Sequence, residues 1–290
     1  MISRNVGTHD GAFHADEVTA CALLLVFDLI DFDKIIRTRD PEILAKCEYV
    51  CDVGGIYNPS KKLFDHHQVE YQGPLSSAGM VLLYLKDSGK LSEKEYSFLN
   101  NNLIMGVDAH DNGRDPQIRG LCTYSHIIAG YVPVEQEADP KWVEEGFYEA
   151  LSFAKGVLER MIRRFHYIQS CRQLVSKAMQ VAEECLIFED NIPWMDIFFE
   201  LGGAQHSALF VIMPSEKHWK LRGIPPTLDQ RMQVRVPLPK EWAGLLEDEL
   251  KRVTGIPGAI FCHKGRFISV WETREDAIKA LKYVLEKGGK

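Results

Sequence analysis

The chain shows few of the features that mark exported, membrane-bound or disulfide-linked proteins. No signal peptide is visible, and the apolar run at residues 21–30 is too short to cross a membrane and contains Asp28. Its seven cysteines form no C-x-x-C pair, and the spacing of Cys47 and Cys51 does not match common zinc motifs. We therefore expect a soluble cytoplasmic protein with reduced cysteines and no membrane partner.

The chain also has fewer basic residues than acidic residues. The chain has 34 Lys and Arg against 41 Asp and Glu, which gives a formal net charge of -7. Tight binding of long nucleic acid needs many Lys and Arg contacts to phosphate, so this balance argues against long DNA as a partner. The basic residues Arg160, Arg163, Arg164 and Arg172 are typical of a solvated helix face, and a phosphate-facing stripe is the alternative.

Strands and helices alternate in the first part of the chain. Residues 18–30 have the apolar spacing of a buried helix, and short strands are expected at 34–39 and 49–53. Two further helices are expected, one over 76–85 and a longer one over 92–111. This alternation predicts an α/β fold with a mostly parallel sheet and flanking helices in a domain of residues 1–139.

The pattern changes after this domain. The sequence predicts a long helical linker over residues 140–182 and a smaller α+β domain over residues 183–290. We expect the strands of that domain at residues 186–188, 209–213, 219–222, 260–263 and 267–270. Helices are expected over 242–253 and 274–285, and a hairpin turn over 263–266 in which Gly265 adopts a positive φ.

Histidines and acidic residues concentrate in four segments of the first domain. These residues are His9, His14 and Asp16; Asp52; Asp65, His66 and His67; and Asp108, His110 and Asp111. Three of the segments follow predicted strands, where side chains converge on the ligand-binding edge of an open α/β sheet. A mixed imidazole and carboxylate set suits Mn²⁺, Fe²⁺, Co²⁺ or Zn²⁺ better than Ca²⁺. The number of ligands suits two metal ions roughly 3.5–4 Å apart.

Each of these residues also has an ordinary structural explanation. A single Asp after a strand usually forms a turn, and His110 and His126 are typical surface or satisfied core histidines. The adjacent pair His66 and His67 after Asp65 is harder to explain, because burying two imidazoles and an acid is costly without a partner. Taken together, the four segments favour a metal site.

The motifs around these residues resemble a known family. They are Gly7-Thr8-His9, Phe13-His14-Ala15-Asp16-Glu17, Arg37-Thr38-Arg39-Asp40-Pro41, Asp52-Val53-Gly54-Gly55, Asp65-His66-His67-Gln68, Ser76-Ser77-Ala78-Gly79, Asp108-Ala109-His110-Asp111-Asn112-Gly113, Pro237-Leu238-Pro239 and Gly255-Ile256-Pro257-Gly258. The chain resembles the DHH phosphoesterase superfamily and, more narrowly, the Myg (melanocyte proliferating gene) family, which is regarded as a metal-dependent 3′-to-5′ RNA exonuclease.

The resemblance implies two divalent metal ions and their ligands. Mn²⁺ is expected first, with Mg²⁺, Co²⁺, Fe²⁺ or Zn²⁺ as alternatives. The implied ligands are His9, His14, Asp16, Asp52, His66 and Asp108. His9 and His14 would hold one ion, Asp52 would be shared, and the other three ligands would hold the second ion. Asp10 is an alternative ligand.

Further residues are expected to act on the substrate. His67 would contact the phosphate or protonate the leaving oxygen, and Asp65 would orient a histidine. Arg222 and Arg235 are candidates for phosphate binding. The superfamily's G-G-G-H loop is missing; the segment that ends at His263 is either its replacement, with His263 reaching the substrate, or a plain helix-to-strand turn.

These observations lead to one hypothesis and two alternatives. The first is a phosphodiester hydrolase, a 3′-to-5′ exonuclease on RNA or short oligonucleotides, with two-metal activation of water for in-line attack on phosphorus. The second is a phosphatase or pyrophosphatase for a small metabolite, which the acidic composition favours. The third is a non-catalytic metal-binding protein.

Overall fold

The computed structural model describes residues 2–134 and 139–287. The chain divides into two units, Met1–Phe165 and His166–Lys290. This division falls inside the helical stretch expected at 140–182, which forms α7 (Pro140–Ser170) and α8 (Arg172–Val181). Among the described residues, no helix is both long and apolar enough to cross a membrane.

The first unit contains a five-stranded sheet with the order β2-β1-β3-β5-β4. Its strands are β1 (Val6–Thr8), β2 (Ile35–Arg37), β3 (Tyr49–Cys51), β4 (Tyr57–Asn58) and β5 (Leu63–Phe64). All neighbours pair in parallel except β4 and β5, which are antiparallel. The predicted α/β class with a mostly parallel sheet is confirmed. Strand β4 escaped prediction because two residues are too short to show a period of two.

Helices cover this sheet. In chain order they are α1 (Ala15–Val26), α2 (Pro41–Leu44), α3 (Ser77–Asp87), α4 (Glu93–Leu99), α5 (Met105–Asp111) and α6 (Tyr124–Ala129). Helix α1 begins three residues earlier than predicted, because Glu17 accepts hydrogen bonds from the backbone N–H of His14 at 2.9 and 3.0 Å and so caps it. A π-helical turn, Asn100–Ile104, joins α4 to α5.

The two faces of this sheet bury different clusters. Val6, Cys51 and Phe64 point to the main core, in which α1 packs against α3. On the other face, Val50 packs against Leu44 of α2 in a smaller cluster. Successive residues of a strand point to opposite faces, so the alternation within β1 and β3 places helices on both sides of the sheet.

The second unit contains another five-stranded sheet, with the order β6-β7-β8-β10-β9. Its strands are β6 (Cys185–Ile187), β7 (Phe210–Ser215), β8 (His218–Gly223), β9 (Ala259–Cys262) and β10 (Ile268–Trp271), and its further helices are α9 (Met195–Glu200), α10 (Glu247–Thr254) and α11 (Arg274–Lys287). Only β6 and β7 pair in parallel. The α+β expectation agrees with this arrangement.

Two local predictions in the second unit were wrong. The helix expected over 242–253 begins only at Glu247, because Gly244 takes a left-handed conformation with φ +77° and interrupts it. In the hairpin, the residue with positive φ is Arg266, at +56°, and not Gly265. The turn therefore places its left-handed residue one position later than predicted.

We predict that Gly7→Ala destabilises the first unit. A Cβ at Gly7 would lie 2.6 Å from Cδ2 of Leu44 and 3.0 Å from Sγ of Cys47, so the smaller cluster would have to move. Overpacking of this kind costs about 1–3 kcal/mol of unfolding free energy. Urea unfolding followed by circular dichroism would measure it.

Gly106→Ala is the matched control. Gly106 lies in α5, is exposed, and has no atom within 4 Å of a built Cβ. Because Ala favours helix over Gly by about 1 kcal/mol, this variant should be neutral or more stable. Equal unfolding midpoints for the two variants would contradict the packing described for Gly7.

Candidate metal centre

The candidate site lies where three neighbouring parallel strands end. His9 follows β1, Asp52 follows β3, and residues 65–67 follow β5. These strands are adjacent in the order β1-β3-β5 and run in parallel, so their carboxyl ends meet at one edge of the sheet. That edge is where open α/β sheets bind ligands.

Asp52 lies at the centre of this edge. It is 3% exposed and has a left-handed backbone with φ +58°, a conformation that is unusual outside glycine. Its Oδ2 lies 3.5 Å from Nε2 of His9, and its Oδ1 lies 3.6 Å from Nε2 of His66 and 3.5 Å from Nδ1 of His67. One carboxylate therefore faces three imidazoles.

The first group of possible ligands brings together His9, His14, Glu17 and Asp52, with one atom of each within 4.8 Å of the others. Glu17 is fully buried, and its Oε1 lies 3.0 Å from Nε2 of His9. Sequence reasoning did not propose Glu17 as a ligand. In the structure, Glu17 also caps α1 through the backbone N–H of His14. Asp10 belongs to no group among the described residues; it is exposed and lies 3.3 Å from Nε of Arg39.

Two more groups surround His66. One contains Asp52, His66 and His67, and the other contains Asp16, His66 and Asp111. Nε2 of His66 lies 2.9 Å from Oδ2 of Asp111 and 3.8 Å from Oδ2 of Asp16. Asp52 and His66 therefore link the three groups into one continuous cluster.

Asp108 lies beside this cluster and in none of the three groups. Its Oδ1 accepts hydrogen bonds from the backbone N–H groups of Ser76 (2.9 Å) and Gly79 (3.1 Å) at the start of α3. A Cβ at Gly79 would lie 2.4 Å from Oδ2 of Asp108, so glycine is needed there for the carboxylate to approach. Asp111, one turn further along α5, extends toward His66 instead.

Asp16 is also held by the start of α3. Its carboxylate accepts hydrogen bonds from the N–H groups of Ser77 (2.8 Å) and Ala78 (2.6 Å). The Ser76 hydroxyl lies 2.6 Å from Asp16 Oδ1 and 2.7 Å from Asp108 Oδ1. A hydroxyl has one proton to donate, so the two carboxylates compete for it or share it.

The pKa values of these carboxyl groups are shifted by burial and by the charges of their neighbours. Burial, together with the negative charges of Asp52 and Asp111, raises the pKa of Asp16 well above its usual range. Burial also raises the pKa of Asp108, against the opposing hydrogen bonds from Ser76. Burial acts in the same direction on Asp52, but the nearby histidines outweigh it and hold the pKa of Asp52 well below its usual range.

The pKa values of His9 and His66 are both raised. Burial lowers the pKa of His9, but Asp52 and Glu17 outweigh it and raise that pKa to about 10. The pKa of His66 is likewise lowered by burial and then raised to about 10 by Asp111 and Asp52. Without a metal, the cluster therefore draws its positive charge from protons on the imidazoles.

Two buried atoms indicate that this cluster fits a metal better than protons. Oδ1 of Asp52 and Nε2 of His66 are both buried and have no partner in hydrogen-bond geometry among the described residues, although Nε2 lies only 2.9 Å from Oδ2 of Asp111. Unpaired buried polar atoms are costly. Imidazole and carboxylate atoms that converge in this way are the donor set expected around a divalent transition-metal ion.

An open cleft of about 670 Å³ gives access to the cluster. His9, His14, Asp52, Asp65 and His67 are among its lining residues. Asp65 is buried, and its Oδ1 accepts hydrogen bonds from the backbone N–H of His67 (3.1 Å) and from Nδ1 of that ring (2.8 Å). The His67 side chain is 62% exposed, so it can reach a molecule in the cleft.

The predicted substrate residues of the second unit differ in their contacts. The guanidinium of Arg235 donates to the carbonyls of Gly203 and His206 at 2.6 Å each and of Ala208 at 2.7 Å, so it is held by the backbone. Nδ1 of His263 lies 2.9 Å from the N–H of Gly265 within the hairpin. Nη2 of Arg222 lies 3.3 Å from the carbonyl of Arg231.

Comparison with known proteins gives the family. Residues 5–285 match the MYG1 exonuclease family model, described as "Uncharacterised protein family (UPF0160)". The MYG1 protein of Chlamydia muridarum is 55% identical over 289 residues, which cover 100% of this chain and 99% of that protein. The MYG1 exonuclease of Homo sapiens is 33% identical over 334 residues, covering 98% of this chain and 86% of that protein.

Among solved structures, RecJ from Thermus thermophilus in complex with Mn²⁺ is similar at 12% identity and a TM-score of 0.28, covering 98% of this chain and 52% of that chain. A likeness this weak carries no argument about the site. The family model, in contrast, spans nearly the whole chain, and relatives above 30% identity align along it. The chain belongs to the MYG1 exonuclease family.

Proposed function

We propose that this protein is a metal-dependent phosphodiester hydrolase that shortens RNA or short oligonucleotides from the 3′ end. One observation carries this proposal: Asp52 belongs to two of the three ligand groups, and His66 also belongs to two of them. Ligand groups that share residues suit two neighbouring cations. Relatives that align along the whole chain are named exonucleases, which supports nucleic acid as the substrate class.

The geometry favours a specific set of ligands. His9 and His14 would hold one ion, His66 and Asp111 the other, and Asp52 would be shared between them. Asp16 fits the second ion, since it belongs to the same group as His66. Glu17 fits the first ion as a further ligand or as the carboxylate that orients His9. The resemblance implied Asp108 as a ligand of the second ion. We propose Asp111 there instead, because Asp111 shares a group with His66 and Asp16, whereas Asp108 belongs to none of the three groups.

The chemistry follows from how the protein holds its side chains. Divalent ions bound here would lower the pKa of a water molecule and offset the charge on the phosphoryl oxygens. Asp65 binds Nδ1 of His67, which leaves Nε2 of that exposed ring to contact the phosphate or to protonate the leaving oxygen. The backbone of Asp52 donates to the carbonyl of Phe64 at 2.9 Å, which fixes the shared carboxylate in place.

We predict that metal binding stabilises the protein. Asp16, Glu17 and Asp52 are buried together, and a divalent cation relieves their mutual repulsion while binding only the folded state. At a free ion concentration of about 100 times Kd, the gain is about 2.7 kcal/mol. Thermal unfolding of EDTA-treated protein, titrated with Mn²⁺, would show the rising midpoint. An unchanged midpoint at millimolar Mn²⁺ would contradict the metal centre.

We also predict that Asp52→Asn lowers turnover by more than about 100-fold, since the shared charge is lost while the shape is kept. The assay is Mn²⁺-dependent hydrolysis of a 5′-labelled short RNA, in which a 3′-to-5′ exonuclease yields a ladder of shortened labelled products. Asp28→Asn is the matched control, because Asp28 is also left-handed, with φ +55°, but is exposed and pairs with Arg4 instead of the site.

The assay also separates the alternatives. Full activity in the Asp52→Asn protein would disprove the assignment of the site. Release of inorganic phosphate from pyrophosphate or a nucleotide, without cleavage of RNA, would keep the metal centre and identify a phosphatase. Metal binding without hydrolysis of any of these substrates would support a non-catalytic protein.

A further inference from the structure

One face of the sheet in the second unit combines basic and apolar side chains. Arg222 pairs with Ile268 across β8 and β10, Lys220 pairs with Val270, and Val270 pairs with Phe261 on β9. Residues that lie opposite each other in neighbouring antiparallel strands share a face of the sheet. We call these five residues the basic sheet face.

Packed helices do not cover this face fully. On the other side of the sheet, Leu221 and Trp271 are buried in a core formed with α10 and α11. Val211 and Met213 of β7 lie on the same side as the basic sheet face and are buried in the second cluster of this unit. Beyond β7, all five residues of the basic sheet face are only partly buried.

The two cations of this face contact uncharged oxygen atoms. Nε of Arg222 is buried without a hydrogen-bond partner, and its Nη2 lies 3.3 Å from the carbonyl of Arg231. Nζ of Lys220 donates to the neutral Oδ1 of Asn191 at 3.0 Å. Across residues 2–134 and 139–287, no ion pair with a carboxylate is found for either cation.

The positive charges of this face therefore favour the binding of an anion. Burial lowers the pKa of Lys220, and the charge of Arg222 adds to that effect. Burial also lowers the pKa of Arg222, with the charge of Arg231 adding to it. Partly buried like charges without a counter-ion are unfavourable, and a phosphate would offset them with charge-assisted hydrogen bonds.

The apolar half of the face supplies a second kind of contact. Phe261, Ile268 and Val270 are partly exposed beside the cations, and the guanidinium carbon of Arg222 lies 6.0 Å from the ring centre of Phe267. Proteins that bind single strands combine cations along the backbone with aromatic and apolar surfaces on which bases stack. Sheet faces with exposed aromatic residues serve this purpose in RNA-binding modules.

We propose that the basic sheet face binds a single-stranded nucleic acid, with phosphates at Lys220 and Arg222 and bases against Phe261, Ile268 and Val270. The identification of that strand as the enzyme's substrate rests on the proposed function, but the binding itself does not. A long duplex would not fit this role, because its bases are stacked inside and unavailable to the apolar half of the face.

The test is fluorescence anisotropy with a 5′-labelled single-stranded RNA of about ten nucleotides, within the usual site size. The full chain is treated with EDTA so that no cleavage occurs. The Lys220→Gln, Arg222→Gln double variant should bind roughly tenfold or more weakly, and the slope of log Kd against log salt should fall by about 1.4. Phe261→Ala should weaken binding by roughly tenfold without changing that slope.

Arg252→Gln is the matched control. Arg252 is exposed on α10, which packs on the other side of the sheet, so its substitution removes one positive charge away from the basic sheet face, as Lys220→Gln does on it. Its affinity and salt slope should equal those of the unmodified chain. Lys220→Gln alone provides a second readout if the Arg222 substitution prevents folding, because within the described part of the chain the Lys220 ammonium has one hydrogen bond, to Asn191.

Three results would overturn the proposal: no binding by the unmodified chain, unchanged binding by the double variant and by Lys220→Gln, or an equal loss in Arg252→Gln. The outcome is independent of catalysis. If the unmodified chain binds RNA through this face but does not cleave it with Mn²⁺, the proposed function fails and the binding face stands. If it cleaves RNA but the variants bind normally, only the binding face fails.

Discussion

The candidate site depends on the position of one buried carboxylate. Asp52 ends β3, the strand between β1 and β5, so it faces the histidines that follow both neighbours. Its left-handed backbone costs free energy that the surrounding packing must offset. The negative charge of Asp52 raises the pKa of His9 and of His66, and these two cations in turn lower the pKa of Asp52. The carboxylate and the two imidazoles therefore stabilise each other's charged forms.

The sequence located this site because its residues follow strands. His9, Asp52 and His66 could be assigned to one edge from the order of strands and helices alone, since parallel strands end together. The resemblance implied Asp108 as a ligand and not Asp111, which lies three residues further along α5 and is also acidic. The sequence does not show that the N–H groups at the start of α3 bind Asp108, whereas Asp111 lies 2.9 Å from His66.

The second unit shows a different limit of sequence reasoning. Arg222 and Arg235 were both candidates for phosphate binding, Arg222 at the end of a predicted strand and Arg235 before Pro237-Leu238-Pro239. The structure separates them by their partners: backbone carbonyls surround the guanidinium of Arg235, whereas Arg222 has a buried nitrogen without one. A guanidinium held by carbonyls stabilises the loop that provides them. Only the less satisfied arginine is left with hydrogen-bonding capacity for an anionic ligand.

The net charge of -7 also has a structural explanation that composition cannot give. Asp16, Glu17 and Asp52 are buried at the metal centre, where bound divalent ions would cancel their charge before any substrate arrived. The formal charge therefore overstates the repulsion that a nucleic acid would meet there. Lys220 and Arg222, in contrast, are partly exposed on one sheet face, and neither forms an ion pair with a carboxylate of the described residues. An acidic protein can bind a short single strand when its positive charge is concentrated in this way, because screening limits each phosphate to the charges within about 10 Å.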